Sequence, residues 1–75
     1  MNNLRNEALI KKVGERIKEL RKKKGLTMEA LGRECELEKQ HINRLEKGEV
    51  NVTISHLEAV ARGLEVSLSD LLKGI

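Results

Sequence analysis

The chain contains no Phe, Tyr or Trp among its 75 residues. Single-stranded DNA and RNA are commonly gripped by stacking bases on aromatic rings, so that mode of binding has no platform here. Proline is absent as well, and with no Gly/Ser linker or low-complexity tract the chain is punctuated by glycines and capping residues. The single cysteine, Cys35, cannot close an internal disulfide, which fits a reducing compartment and leaves packing to hold the chain together. The opening NNLRNEALIKK is polar, and no apolar run approaches the length of a signal peptide or membrane span. A cytoplasmic protein without membrane association is therefore expected. Seventy-five residues allow one domain, 1–75, with a modest core that a partner subunit would reinforce.

Charge is distributed unevenly. Met1 to Lys24 carries nine Lys or Arg against three Glu, whereas Gly25 onward carries six against nine acidic residues. The formal +3 is a +6 block followed by a −3 block. Such a block is either a solvated helix face or an attractor for phosphates, and charge alone does not choose between them.

Four junctions share one grammar. Leu26-Thr27 with Leu31, Val52-Thr53 with Leu57, and Val66-Ser67 with Leu71 each place an apolar residue before a hydroxyl cap and another four residues past it. This is a capping site with a hydrophobic staple. Leu37-Glu38 with Ile42 repeats the spacing using a carboxylate, which is expected to accept from first-turn amides. The first helix is predicted from about Asn6 or earlier to Lys24, with an extension over about 1–9 and a buried stripe of Ile10, Val13, Ile17 and Leu20. Gly25 stops it, and Arg21-Lys22-Lys23-Lys24 suits its negative end. Further helices are predicted over about Met28 to Cys35, Lys39 to Lys47, Ile54 to Leu64 and Leu68 to Lys73. Each is too short to stand alone. Leu31, Cys35, Ile42, Leu45, Leu57, Val60, Ala61 and Leu64 supply the shared core of an all-α, compact five-helix domain.

The third helix has a narrow apolar stripe, Ile42 and Leu45, and turns Lys39, Gln40, Asn43 and Arg44 away from it. Arg and Lys can pair with guanine, and Gln or Asn with adenine, in the major groove. An ordinary solvated helix carries the same residue types. Catalytic and metal chemistry find little support. The spacing of Cys35, His41 and His56 matches no zinc-finger pattern, and Cys35 falls on a buried face. His56 reads as a local hydrogen-bonder. No phosphate loop, nucleophile elbow or paired-carboxylate motif is present. Neither an enzyme nor a cofactor is expected.

Taken together, IKELRKKKGLTMEAL, INRLEKGEVNVTISHL and LEVSLSDLL, within about Ile10 to Leu72, resemble the helix-turn-helix domain of the Cro/cI-type (XRE-like) transcriptional regulators. The resemblance implies a lambda-repressor-like fold with the helix-turn-helix in the second and third helices. It implies sequence-specific binding of double-stranded DNA by a repressor- or controller-type regulator, with residues 39–47 in the major groove. In such domains an arginine ending the first helix pairs with a glutamate ending the third, which falls here on Arg21 and Glu46. Base reading falls on Lys39, Gln40 and Arg44. Phosphate or flank contacts fall on Lys22, Lys24, Thr27, Met28, His41, Asn43, Asn51 and Thr53. A homodimer is expected, with Leu68, Leu71, Leu72 and Ile75 at its interface. No ligand-sensing or self-cleaving domain is expected beyond the fifth helix. The alternative reading is a protein-interaction module on the same fold, such as an antitoxin that blocks a toxin.

The sequence departs from that pattern at the joint. Met28 stands where a glutamine is common, Gly32 where alanine is usual, and Glu36 where the turn is usually glycine, with Gly63 and Glu65 repeating the last two swaps. A side-chain-bearing residue forced to positive φ costs on the order of 1 kcal/mol, so the turns at Glu36 and Glu65 are expected to be either slightly strained or differently shaped. Glu38 brings a negative charge close to DNA. It reads as a cap first and a cytosine contact second.

Overall fold

The computed structural model describes residues 5–75. Among the described residues there are five helices and no strand: α1 (Glu7–Lys23), α2 (Met28–Cys35), α3 (Lys39–Lys47), α4 (Ile54–Gly63) and α5 (Leu68–Leu71). α1 packs across α3, α2 is wedged between α3 and α4, and α5 closes the end against α4 and α1. Ile17, Leu31, Ile42, Val60, Leu64 and Leu71 are the fully buried centre where the five helices meet. No helix of the described residues is long and apolar enough to cross a membrane.

Caps set the boundaries. Asn6 Oδ1 accepts from the Leu9 amide at 3.0 Å, so α1 begins at Glu7. The expected extension is therefore helical only from that residue, and residues 1–4 lie outside the described part. The Ala30, His56 and Asp70 amides donate to the hydroxyls of Thr27, Thr53 and Ser67, each at 3.0 Å. These bonds satisfy donors that a helix start leaves without partners. Glu38 differs: its backbone has cap geometry, but its side chain accepts no cap hydrogen bond. The extra methylene of Glu over Asp makes it a poor fit to the first-turn amides, which corrects the expectation of a carboxylate cap.

Three helices end short of the expected residue, α1 by one, with Lys24 as its C-cap. α4 ends at Gly63, and buried Leu64 serves as its C-cap while the Val66 amide donates back to the Ala61 carbonyl at 2.9 Å. α5 stops at Leu71 rather than Lys73. The guanidinium of Arg16 binds the Asp70 and Leu71 carbonyls at 2.9 and 3.2 Å, the acceptors that another helical turn would use. Within α1 the stripe is also revised: Leu20 is half-buried, while Gly14 and Arg21 are buried with Ile10, Val13 and Ile17.

Gly14 permits the α1–α3 crossing. A Cβ there would collide with the Leu45 carbonyl oxygen and lie 2.7 Å from that of Glu46. A glycine inside a helix is destabilising by roughly 0.5–1 kcal/mol relative to Ala, so its place beside the apolar stripe marks a backbone contact.

The joint between α2 and α3 has its own solution. Glu36 sits at φ 60° and Glu65 at φ 61°, both left-handed. Gly32 compensates, because its missing side chain lets the Leu37 carbonyl lie directly against it, where a Cβ would clash. Substitutions here should have opposite signs. Glu36→Gly is expected to raise stability by up to about 1 kcal/mol by relieving the left-handed side chain. Gly32→Ala is expected to lower it by about 1–3 kcal/mol through overpacking. Urea midpoints check both, and a midpoint that falls on Glu36→Gly would refute strain at this turn.

Candidate nucleic-acid interface

α3 is held from behind and bare in front. Behind, Ile42 and Leu45 are buried, and Glu46 receives the Arg21 guanidinium through Nε at 2.6 Å and Nη2 at 3.1 Å. Side-chain exposure is 9% for Arg21 and 2% for Glu46, so the fork is shielded from solvent. Arg21 Nη1 also donates to the Leu26 carbonyl at 2.8 Å. One side chain thus ties the end of α1 to α3 and to the turn that aims α2.

In front, Lys39, Gln40 and Arg44 are exposed. None makes an ion pair or side-chain hydrogen bond among the described residues. Gln40 and Arg44 are one turn apart, with Lys39 at the helix start. Lys47, also exposed and unpaired, continues the Gln40–Arg44 line one turn further. Lys47 was not among the expected contacts. The i, i+4, i+7 spacing with Gln40 and Arg44 was the signal that could have found it.

The flanking residues divide into several kinds. Lys22 is exposed and unpaired. Lys24 instead bonds Glu65 at 2.8 Å, holding that exposed carboxyl below its ordinary pKa, and would have to leave it to reach a phosphate. Thr27 and Thr53 hydroxyls are engaged as caps. The Met28 amide has no acceptor among the described residues and lies at the positive end of α2. The thioether side chain is half-buried against the core. Asn51 is exposed and Asn43 half-buried. His41 and His56 meet edge to face, ring centroids 4.7 Å apart, bracing the start of α3 against the first turn of α4. This contact joins the only two histidines of the chain, and their separation in sequence hid it.

Cys35 is buried, with its thiol donating to the Leu31 carbonyl at 3.1 Å. Burial raises its pKa and keeps it a neutral core thiol.

A family model for helix-turn-helix proteins matches residues 17–71. The chain belongs to the helix-turn-helix family. Its relatives include the control protein C.MunI of a Mycoplasma species, 33% identical over 83% of this chain and 85% of that protein. Among solved structures, the restriction-modification controller C.Esp1396I superposes with a TM-score of 0.85 at 35% identity, covering 91% of this chain and 88% of that one. The controller C.AhdI from Aeromonas hydrophila gives 0.82 at 30% identity, covering 89% of this chain and 100% of that one. The helix-turn-helix itself is α2 and α3, joined through Glu36, Leu37 and Glu38.

Leu71 fits poorly with its expected role between subunits. It is 0% exposed in the single chain and has no surface to offer. Leu68 and Leu72 are half-buried, and Ile75 is 42% exposed. Ile75 lines an apolar groove with Leu72, Leu9, Val52 and Leu57.

Proposed function

We propose that this chain binds double-stranded DNA sequence-specifically in the cytoplasm as a transcriptional regulator of the controller type, with α3 in the major groove. The observation that carries this reading is the contrast across α3: Lys39, Gln40 and Arg44 exposed and unpaired, on a helix anchored by a buried Arg21–Glu46 fork. Donors with no internal partner remain available to base edges, and a locked helix presents them without loss of orientation. Lys39 and Arg44 suit guanine and Gln40 suits adenine. Lys22, the Met28 amide and the loop from Asn51 to Thr53 fix the register through phosphates. No cofactor or catalytic step is required.

One short helix reads few base pairs, so the active form is a homodimer. Leu68, Leu72 and Ile75 form its contact, and exposed Leu9 extends that surface across the groove. Selection from a random duplex pool should recover paired half-sites about 34 Å, one helical turn, apart. Sedimentation should give a dimer at micromolar concentration for the native chain and a monomer for Ile75→Glu. An unenriched pool would refute DNA recognition. A native chain that stays monomeric both free and on DNA would refute the dimer.

A further inference from the structure

Ion pairing sorts the cations of this molecule. Among the described residues, Arg5, Arg16, Arg21, Lys24 and Arg62 each lie within 3.2 Å of a carboxylate oxygen. Lys11, Lys12, Lys18, Lys22 and Lys23 of α1 do not, nor do Lys39, Arg44 and Lys47 of α3. Arg33 of α2 and Lys73 after α5 are likewise outside any ion pair, so eight of the ten such cations among the described residues lie on the two helices that cross each other.

On α1 they fall into two sets. Lys11, Lys18 and Lys22 are seven and four residues apart, which places them along one edge, with Lys12 and Lys23 about a quarter-turn away. The first set borders α3. A Cβ on Gly48, just past α3, would sit 2.8 Å from Lys11 Cγ, and Gly14, between Lys11 and Lys18, abuts the Leu45 and Glu46 carbonyls. Arg21, next to Lys22, reaches Glu46. Glu7 and Glu15 are the acids along this edge; Glu7 binds Arg5, and neither pairs with any of the three lysines.

The dimensions of duplex DNA give this edge a target. The major groove is about 12 Å wide and 8.5 Å deep, and a helix with its side chains is about 10–12 Å across. A recognition helix fills the groove, so the helix packed behind it, about 8–10 Å away, lies at the level of the phosphate rim. Lysine side chains there are within a Debye length of the phosphates, where screening is weak. We propose that the Lys11–Lys18–Lys22 edge of α1 is a second phosphate-binding surface, gripping the duplex backbone beside the groove that α3 enters. It rests on the DNA-binding reading, and it adds Lys11 and Lys18 to the contact set.

The test is the salt dependence of binding to a long duplex carrying the selected site, for the native chain, for Lys11→Gln/Lys18→Gln/Lys22→Gln, and for Lys12→Gln/Lys23→Gln. Each phosphate contact contributes about 0.9 to the slope of log affinity against log salt. With three lysines in each protomer of the bound dimer, the triple variant should lose about 5 units of slope and keep the native preference for selected over scrambled sequence. The control pair should change the slope by less than about 1 unit. Thermal melts confirm that each variant is folded. An unchanged slope in a folded triple variant that still binds overturns the proposal, as does an equal loss per charge in the control pair. Failure of the native chain to bind any duplex would remove the DNA reading itself, and that result is visible without any variant.

Discussion

Arg21→Ala is expected to destabilise this domain by about 3–5 kcal/mol, the typical result of removing one partner from a buried ion pair. The reason lies with what remains. Glu46 is 2% exposed in its side chain and would keep a carboxylate with no cation and little water. The same substitution frees the Leu26 carbonyl from its 2.8 Å bond. A chain of 75 residues has a total stability of about 4–11 kcal/mol, so the loss takes a large share of it. The melting midpoint should fall by more than about 12 °C, since each kcal/mol moves a domain of this size by about 4–8 °C. Replacing both partners, as in Arg21→Met/Glu46→Leu, should recover most of the stability, because apolar residues of similar volume carry no desolvation penalty. A single variant melting within a few degrees of the native chain would show that apolar packing of Ile42 and Leu45 alone seats α3.

The architecture was legible in the sequence wherever the deciding physics is local. Thr27, Thr53 and Ser67 mark helix starts because a hydroxyl can reach an amide only three residues on, and all three bonds form. At Glu36 and Glu65 the resemblance left a strained or a differently shaped turn open, and the structure has the strained one, with both residues left-handed. The readings that needed revision depend on distant chain. α5 stops short of Lys73, and Arg16, more than fifty residues away, donates to its last carbonyls. Leu71 looked available to a partner because its burial is decided by helices that local periodicity does not position. Lys24 was expected near phosphate, yet Glu65 sits 41 residues further on and bonds it. At the interface, the sequence identifies Lys39, Gln40 and Arg44 from their helical face, but their lack of internal partners is visible only once every carboxylate has been placed. Gly14 was missed: it was not read as part of the buried stripe, and its contact with Leu45 and Glu46 depends on how α1 crosses α3.

Removing both Lys39 and Arg44 should have the largest effect on function. Each well-formed base pairing is worth about 1–3 kcal/mol of discrimination, so Lys39→Ala/Arg44→Ala should reduce affinity for the selected site by a factor of about 30 to 10⁴. In a homodimer each loss occurs in both half-sites, and binding then approaches the non-specific level. The two side chains are exposed and make no ion pair or side-chain hydrogen bond among the described residues, so stability should stay within about 0.5 kcal/mol of native. This separates a reading defect from unfolding, which the Arg21 variant would mix. The single variants add a positional test. If Arg44 reads a guanine, Arg44→Ala should lose preference at one base pair per half-site and keep it elsewhere. Competition binding against single-base operator variants measures that pattern. Uniform weakening at every position would move Arg44 from base edges to phosphates, and undiminished affinity in the folded double variant would rule out α3 as the reading element.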